Sequence, residues 1–230
     1  SDLLISGEKL ARVKNYLETK YQITAEIIEK DLTQPDAPEE IYRIIAKQNK
    51  HIDILVNNAG LGDYGEFVHR DWNKQQYMIH LNIIAVTHLT KLFLKPMLER
   101  GYGRILNVSS IAAFQPGPLM SVYYATKTFV LSFSEALSRE LKGSGVTVTA
   151  LCPGPTRTGF EAAASLENSR LFKNLKVASA EEVAAFGYRA LMQGKPVAIY
   201  GTINKLLIFC LRLTPRSLVR EIVYILQSKR

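Results

Sequence analysis

The feature that most constrains the fold is an alternation of short apolar runs with amphipathic segments along the chain. The apolar runs predict strands at Leu3–Ser6, Ala25–Glu29, Ile52–Val56, Arg104–Val108, Gly145–Leu151 and Val197–Tyr200. The amphipathic segments predict helices at Glu8–Lys20, Pro38–Lys47, Ile79–Arg100, Ser121–Lys142 and Ser179–Gln193. Helical crossovers join parallel strands, so we expect an α/β fold: a Rossmann-like doubly wound parallel sheet in a single domain, residues 1–230.

Composition agrees with one globular domain. The 230 residues are 47% hydrophobic and 22% charged, which is enough apolar material for a full core. The sequence has no apolar run of about eighteen residues and no signal-peptide pattern, so we expect neither a spanning helix nor secretion. Two cysteines, Cys152 and Cys210, are too few for a disulfide framework or a zinc site, and we expect a cytoplasmic protein. Cys152 is expected to be a small buried residue at a strand end.

The formal net charge of +8 raises the question of a nucleic-acid partner. The basic residues are spread along the predicted helices without aromatic clusters, and no nucleic-acid motif occurs, so we expect no such partner. Solvated helix faces and attraction of an anionic cofactor account for much of the charge. The four histidines show no ligand spacing with acids or cysteines, and no metal site is predicted.

Ser110, Tyr123 and Lys127 form the strongest chemical pattern. Tyr123 and Lys127 are four residues apart on a predicted helix and therefore share one face. A cation about 4 Å from the phenol, at an effective dielectric of about 20, would favour the phenolate by about 4 kcal/mol. We therefore expect the pKa of Tyr123 to fall from about 10 to near 7. Ser110 follows a predicted strand at the sheet edge where ligands bind, and would be a second hydrogen-bond donor.

The alternative interpretation is a strand-to-loop turn at Ser109-Ser110 and a solvent-facing Tyr123/Lys127 pair, since both residue types are common on helix surfaces. Further motifs in one order decide against it. From near residue 1 to about residue 200 the chain resembles the short-chain dehydrogenases/reductases. The resemblance rests on Asp31-Leu32, Asn57-Asn58-Ala59-Gly60, Asn82, the set Ser110, Tyr123 and Lys127, and Pro153-Gly154-Pro155-Thr156-Arg157-Thr158.

The resemblance implies two groups of site residues. The catalytic residues would be Asn82, Ser110, Tyr123 and Lys127. The cofactor-binding residues would be Asp31, Leu32, Asn58, Ala59, Gly60, Tyr123, Lys127, Pro153, Gly154, Thr156 and Thr158. The implied reaction is hydride transfer between a nicotinamide cofactor and a substrate carbonyl. Tyr123 would be the general acid–base, Ser110 would hold the carbonyl oxygen, and Lys127 would bind the nicotinamide ribose. Asn82 would keep a local helix kink and a water-mediated proton route.

One part of the family pattern is missing from the sequence: the first strand, its glycine-rich turn and the following helix, which hold the cofactor pyrophosphate. The Gly7-Glu8 junction is also short. We expect about 30 preceding residues and this loop to belong to the complete protein. Without that unit the sheet would lack its central strand and expose apolar edges.

Ser6 bears on the choice of cofactor. The family's NAD(H) enzymes place an acidic residue at the end of the second strand, where it binds the ribose 2′-hydroxyl and repels a 2′-phosphate. This chain has Ser6 there, which favours NADP(H) over NAD(H).

Two segments bear on the substrate. Residues 159–178 follow the Pro153-Gly154 motif, where the family carries a lid, and include the apolar residues Phe160, Leu166, Leu171, Phe172 and Leu175. Residues 203–230 form a basic amphipathic C-terminal extension, with Lys205, Arg212, Arg216 and Arg220 among Leu206, Leu207, Ile208, Phe209, Leu211 and Leu213. We expect this extension to be a helix pair packed on the core or a subunit; the alternatives are a lipophilic-substrate wall and a membrane-surface helix.

The sequence favours an oxidoreductase acting on a ketone or secondary alcohol of a lipophilic small molecule, such as a 3-oxoacyl or steroid-like compound. The other class is a non-catalytic binding or regulatory protein of the same fold that has lost cofactor binding. The resemblance also implies a homodimer or homotetramer assembled through the helices Ile79–Arg100 and Ser121–Lys142.

Overall fold

A central parallel sheet organises the protein in the computed structural model, which describes residues 7–158, 160 and 177–228. The described strands are β1 (Ile54–Asn57), β2 (Gly103–Val108), β3 (Val146–Cys152), β4 (Thr156–Arg157), β5 (Ala178–Ser179) and β6 (Val197–Ile199). The order in the main sheet is β1-β2-β3-β6, and every neighbouring pair is parallel. Strands β4 and β5 form a separate small parallel pair.

Helices cover both faces of this sheet. They are α1 (Gly7–Tyr21), α2 (Ala37–Lys47), α3 (Trp72–Ile79), α4 (Val86–Glu99), α5 (Ser121–Glu140), α6 (Ala180–Met192), α7 (Thr202–Leu213) and α8 (Arg216–Gln227). A π-helical segment, His80–Ala85, joins α3 to α4, and short 3-10 helices occur at Phe67–His69 and Ile111–Phe114. The predicted α/β fold with a doubly wound parallel sheet is confirmed.

Strand β2 separates the core into two parts, one on each face of the sheet. Its consecutive residues Ile105 and Leu106 point to these opposite faces. Ile105 packs with Phe93 and Met97 of α4 on one face. Leu106 packs with Leu191 of α6 on the other. Burial on both faces explains why these strands read as continuous apolar runs in the sequence. The side chain of Cys152 is fully buried at the end of β3, as predicted, and burial raises the pKa of its thiol to about 12.

Among the described residues, the main sheet ends at β1. Ile54 and Val56 are 38% and 50% exposed, although they belong to an apolar strand. This exposure was predicted for a sheet without its central strand. An apolar cavity of about 300 Å³ runs along the same edge, between β1 and residues of α2 and α4.

The predicted strand Ala25–Glu29 is wrong, since these residues have no regular secondary structure. A strand exists only where a neighbour accepts its backbone hydrogen bonds, and the described sheet ends at β1. Side chains hold this segment instead. The Ala25 amide donates to the Glu18 carboxylate at 3.0 Å, and Lys50 pairs with Glu26.

The predicted helix Ile79–Arg100 begins seven residues earlier, because Asp71 caps α3 by accepting a hydrogen bond from the Asn73 amide at 2.8 Å. By length and composition, the helical run Trp72–Glu99 is apolar enough to cross a membrane. One face of this run packs in the core, since Met78, Phe93 and Met97 are buried inside the protein.

The remaining predictions of secondary structure have different outcomes. Four helices and four strands lie within a few residues of their predicted positions. Asp36, directly before α2, makes no capping hydrogen bond to this helix, because its own backbone is already helical. The predicted strand Leu3–Ser6 and the apolar residues Leu166, Leu171, Phe172 and Leu175 lie outside the described residues.

The capping box at the start of α6 provides a stability test. Ser179 accepts from the Glu182 amide at 3.1 Å, and the Glu182 carboxylate accepts from the Ser179 amide at 3.2 Å. We expect Ser179→Ala to lower the free energy of unfolding by about 1 kcal/mol, measured by urea denaturation. The control Ser217→Ala, at an exposed serine of α8, should change it by less than about 0.5 kcal/mol. Equal losses in the two variants would contradict the capping role.

Candidate active site

Ser110 lies where β2 ends and the loop to α5 begins. It is the N-cap of the 3-10 helix Ile111–Phe114, and its hydroxyl accepts from the Ala112 amide at 3.1 Å. The Ile111 amide donates to the Pro153 carbonyl at 3.0 Å, which ties this loop to the end of β3. Ser110 therefore sits at the carboxyl edge of the parallel sheet, the edge at which ligands of such folds bind.

The first two turns of α5 are fastened to the same edge. The Ser109 hydroxyl donates to the Lys127 carbonyl at 2.8 Å. The Lys127 ammonium in turn donates to the Val108 carbonyl at 2.8 Å. Lys127 is only 5% exposed, and burial lowers its pKa to about 8. A buried lysine held in this way keeps its amine at a fixed position inside the site.

Tyr123 and Ser110 meet in this site, because the two side chains are hydrogen bonded. The Lys127 Nζ atom lies 5.8 Å from the centre of the Tyr123 ring, so the predicted proximity is confirmed. The predicted pKa is wrong in direction. Burial raises the pKa of Tyr123 to about 12, and the hydrogen bond from Ser110 only partly offsets this. The cause is that the amine points to the Val108 carbonyl while the partly buried phenol has lost part of its water.

Asn82 is buried in the π-helical segment His80–Ala85, a local irregularity of the kind predicted for it. Its Oδ1 accepts from the Leu61 amide at 2.9 Å, and its Nδ2 donates to the Leu61 carbonyl at 2.9 Å. The same Nδ2 donates to the Thr126 hydroxyl at 3.0 Å, and that hydroxyl donates to the Tyr123 carbonyl at 2.7 Å. Asn82 therefore joins the loop after β1 to α5.

Gly60 lies between Asn82 and Lys127. A Cβ at this position would lie 3.3 Å from the Lys127 Nζ atom and 3.4 Å from the Asn82 Oδ1 atom. A methyl group would therefore fill the space beside the amine. Ala59, Asn58 and Leu32 line the cavity along the β1 edge. Five of the predicted cofactor-binding residues thus follow one path from that edge to the buried amine, namely Leu32, Asn58, Ala59, Gly60 and Lys127.

Asp31 precedes this path. Its carboxylate accepts from the Thr33 amide at 2.9 Å and from the Thr33 hydroxyl at 2.8 Å. Partial burial opposes ionisation of the carboxyl, but the hydrogen bonds outweigh it and lower the pKa of Asp31. Asp31 is therefore an anion fixed in a turn directly before Leu32.

The Pro153-Gly154 motif approaches from the end of β3. Asn204 packs tightly against Gly154, since a Cβ there would lie 2.7 Å from the Asn204 Nδ2 atom. The Thr156 hydroxyl donates to the Gly154 carbonyl at 2.9 Å. The Thr158 hydroxyl accepts from the Phe160 amide at 3.1 Å. Ser6, on which the choice of NADP(H) depends, lies outside the described residues.

The donors around Lys127 fit a nicotinamide ribose. Within the part of the chain that the structure describes, the ammonium has the Val108 carbonyl as its one hydrogen-bond acceptor, which leaves two N–H groups for a ligand. Ribose hydroxyls are acceptors of the required kind. The described residues therefore suit the nicotinamide half of the cofactor, and none of them forms the glycine-rich turn that holds a pyrophosphate.

Asp63 is a site residue that sequence patterns missed. It is 3% exposed and accepts from Arg70, Gln75 and Lys74 at distances of 2.6–2.8 Å. Burial alone would raise the pKa of Asp63, but the hydrogen bonds and positive charges of Arg70 and Lys74 outweigh it and lower the pKa. This buried anion fastens the loop after Gly60 to α3. Arg70 and Lys74 follow Asp63 by seven and eleven residues. No sequence motif has this spacing, so the sequence alone could not identify the cluster.

A second contact that sequence patterns missed attaches α8 to α5. Gln227 is fully buried, and its side-chain amide donates to the Tyr124 hydroxyl at 2.5 Å. Its backbone carbonyl accepts from the Tyr64 hydroxyl at 2.6 Å. Val219 and Val223 of α8 pack in the same cluster as Tyr123 and Tyr124. The C-terminal helix is therefore a wall of the site beside the Tyr123 ring.

Comparison with known proteins agrees with this geometry. The family model described as short chain dehydrogenase matches residues 3–169. The chain is 36% identical over 152 residues to "Very-long-chain 3-oxoacyl-CoA reductase" of Bos taurus, covering 64% of this chain and 48% of that protein. It is also 36% identical over 148 residues to "17-beta-hydroxysteroid dehydrogenase type 3" of Mus musculus, with the same coverages. The chain thus spans about half the length of the curated relatives it matches.

Among solved structures, the chain is similar to "Short-chain dehydrogenase from Sphingobium yanoikuyae in complex with NADPH". The TM-score is 0.78 at 28% identity, covering 90% of this chain and 80% of that chain. The similarity extends through most of the sheet and its helices, and so supports the fold described above.

The Tyr124–Gln227 pair can be tested by a double-mutant cycle. Tyr124→Phe leaves the buried Gln227 amide without its acceptor and should lower the free energy of unfolding by about 1–3 kcal/mol. In the Gln227→Leu background the same change should cost clearly less, because no buried amide remains to be satisfied. Urea denaturation of the four proteins measures both costs. Equal costs in the two backgrounds would show that the pair does not anchor α8.

Proposed function

Since the chain belongs to the short chain dehydrogenase family, we propose that it is an NADP(H)-dependent oxidoreductase that reduces the ketone of a lipophilic substrate. The observation that carries the proposal is the hydrogen-bonded pair of Ser110 and Tyr123 beside the buried Lys127 amine. These three groups meet at the carboxyl edge of the sheet, together with Gly60 and Pro153.

Tyr123 acts as the proton donor in this reaction. With a pKa raised to about 12, it is a neutral phenol at physiological pH and holds the proton that a reduced carbonyl oxygen requires. The developing alkoxide is more basic than a phenolate, so the transfer from Tyr123 is favourable. When substrate binds, the Ser110 hydroxyl, which lies next to the phenol, turns its single proton to the same substrate oxygen and fixes its position. The raised pKa supports reduction over the reverse reaction, which needs the phenolate.

Lys127 has two roles in the proposal. Its ammonium stabilises the phenolate that remains when Tyr123 has lost its proton. Its remaining N–H groups bind the ribose hydroxyls of the nicotinamide. When bound, NADPH supplies the hydride for the carbonyl carbon. Asn82 holds Leu61 and Thr126 in place, and so keeps the loop after β1 against α5.

The preference for NADP(H) rests on Ser6, which cannot repel a 2′-phosphate as an acidic residue would. The NADPH complex of the Sphingobium yanoikuyae protein supports the same choice by similarity. Adding NADPH to the protein and recording the nicotinamide fluorescence separates this proposal from a non-catalytic protein of the same fold. An enzyme should enhance or quench the emission on binding, whereas the non-catalytic protein leaves it unchanged.

The lipophilic substrate is inferred from the walls beside Tyr123. Phe160 contacts the Tyr123 ring with a centroid distance of 5.3 Å, and Tyr64 and Val223 belong to the same cluster. Apolar walls of this kind favour a hydrocarbon chain or ring system next to the ketone. The names of the relatives, a very-long-chain 3-oxoacyl-CoA reductase and a hydroxysteroid dehydrogenase, support the same class of substrate.

Homodimer or homotetramer assembly through the outer faces of α4 and α5 also remains a proposal. Large apolar residues that are at least 39% exposed support it. They lie along α5 and along the helical run from α3 to α4, and are Trp72, Tyr77, Ile84, Leu98 and Phe129.

The role of Tyr123 is tested by removing its hydroxyl. We expect Tyr123→Phe to lower kcat for reduction of a 3-oxoacyl thioester by at least about 10²-fold, because the proton donor is lost, while NADPH still binds. Tyr188→Phe is the matched control, since it removes a hydroxyl from an exposed tyrosine of α6 outside the site. Absorbance of the reduced cofactor measures turnover. If Tyr123→Phe kept the wild-type kcat, Tyr123 would not be the proton donor.

The pKa of Lys127 predicts the pH dependence of reduction. Below its pKa of about 8 the amine is charged and stabilises the Tyr123 phenolate; above it, the charge is lost. We expect kcat to be level at lower pH and to fall as the pH rises through about 8. Lys127→Arg keeps the charge at all accessible pH values, so any activity that this variant retains should lack the fall. A profile that is unchanged in the variant would assign the fall to another group.

A further inference from the structure

The C-terminal hairpin, defined as α7 and α8, buries only a narrow inner face. Among the described residues of the two helices, Ile208, Val219, Val223 and Gln227 are buried. Val219 and Val223 pack on Met120 and Tyr124 at the active site. Contact with α5 and with the residue before it thus buries the inner face of the hairpin. Most of the other side chains of the hairpin are exposed to solvent.

The outer face of α7 is apolar as well. Ile203, Leu206 and Leu213 are 71%, 63% and 75% exposed. Their spacing of three and seven residues places them on one stripe, on the side of the helix opposite the buried Ile208. On α8, Leu218, Ile222 and Ile225 form a similar stripe and are 52%, 45% and 58% exposed. Exposed apolar stripes of this size on two consecutive helices mark an interaction surface.

The charge of the hairpin is strongly basic. Residues 202–227 contain Lys205, Arg212, Arg216 and Arg220 against the single acid Glu221, a net charge of +3. Glu221 lies 3.3 Å from Arg220. Within the described part of the chain, Lys205, Arg212 and Arg216 have no ion-pair partner. Three cations of the hairpin therefore lack a counter-charge among the described residues. Arg212 and Arg216 lie about one turn from the buried Ile208 and Val219, on the inner side of their helices.

Two of these cations border a cavity at the turn between the helices. The cavity has a volume of about 280 Å³, and Arg212 and Arg216 line it on either side of the Thr214-Pro215 turn. Its apolar walls are Phe114, Pro116, Ile208, Leu211 and Val219. Such a cavity suits an anionic group that is attached to hydrocarbon.

We propose that the C-terminal hairpin docks on an anionic phospholipid surface. In this arrangement, Ile203, Leu206 and Leu213 enter the interfacial region of the bilayer, while the long side chains of Arg212 and Arg216 reach lipid phosphates from the turn between the helices. A second copy of the chain is the competing occupant. It is disfavoured because the same +3 surface would face itself across a two-fold interface. The proposal goes beyond the proposed reaction and does not depend on it.

Co-sedimentation of the full chain with vesicles tests the proposal. We expect binding to phosphatidylcholine vesicles that contain phosphatidylserine, and little binding to phosphatidylcholine alone. The affinity should fall by about tenfold or more between low and high salt, because exposed charges are screened. Absence of binding to the phosphatidylserine vesicles at low salt would overturn the proposal.

Two pairs of variants locate the docking surface. Arg212→Gln/Arg216→Gln should weaken vesicle binding by about tenfold or more, whereas Arg139→Gln/Arg189→Gln, with the same loss of charge on α5 and α6, should weaken it far less. Leu206→Ser/Leu213→Ser should likewise weaken binding more than Val13→Ser/Val68→Ser, which alters exposed apolar residues elsewhere. Equal effects within either comparison would refute docking by the hairpin.

Light scattering on the size-exclusion eluate decides between lipid and a second copy. We expect Leu206→Ser/Leu213→Ser to leave the molar mass of the protein unchanged while vesicle binding falls. A decrease in molar mass in this variant would assign the apolar stripes to an interface between copies of the chain, and would overturn the proposal.

Discussion

The end of β2 and the first turns of α5 are held together by two buried hydrogen bonds, on which the geometry of the site depends. Ser109 donates to the Lys127 carbonyl, and the Lys127 amine donates back to the Val108 carbonyl. Because these contacts lie inside the protein, the amine cannot move toward solvent, and Tyr123, one turn earlier, is carried to Ser110. The contacts around Asn82 and Asp63 extend this frame to the loop after β1.

The same burial determines the chemistry. Desolvation acts against every charged form in the site, which is why it raises the pKa of Tyr123 and lowers that of Lys127. The neutral phenol of Tyr123 lies beside the Lys127 amine, whose pKa is lowered. Such a phenol can give a proton to a substrate, and it is less suited to removing one. The proposed direction, reduction of a ketone, therefore follows from the lack of water around the pair and not from a pre-formed phenolate.

The sequence predicted the helices and strands that are determined by a local pattern of side chains. It missed the features that depend on contacts between distant parts of the chain. Periodicity located α2, α5, α6, β2 and β3 because each buries a regular set of side chains. Ala25–Glu29 has a strand composition but no described neighbour, and a strand without a ladder does not form. The four-residue spacing placed Lys127 beside Tyr123, yet neither the direction of the amine nor the loss of water can be read from spacing. Tyr64 and Gln227 are 163 residues apart, and their contact depends on how α8 packs.

Direct titration of the Tyr123 hydroxyl tests the central claim, that burial keeps this phenol neutral beside Ser110. Tyrosine labelled with carbon-13 at the ring carbon that bears the hydroxyl gives one NMR signal per residue, and the signal of Tyr123 is identified by its loss in the Tyr123→Phe protein. The account predicts that this signal stays at the position of the neutral phenol up to about pH 10, within the range in which circular dichroism shows a folded protein. A titration midpoint near pH 7 would contradict the account, because it would mean that the charge of Lys127 outweighs desolvation.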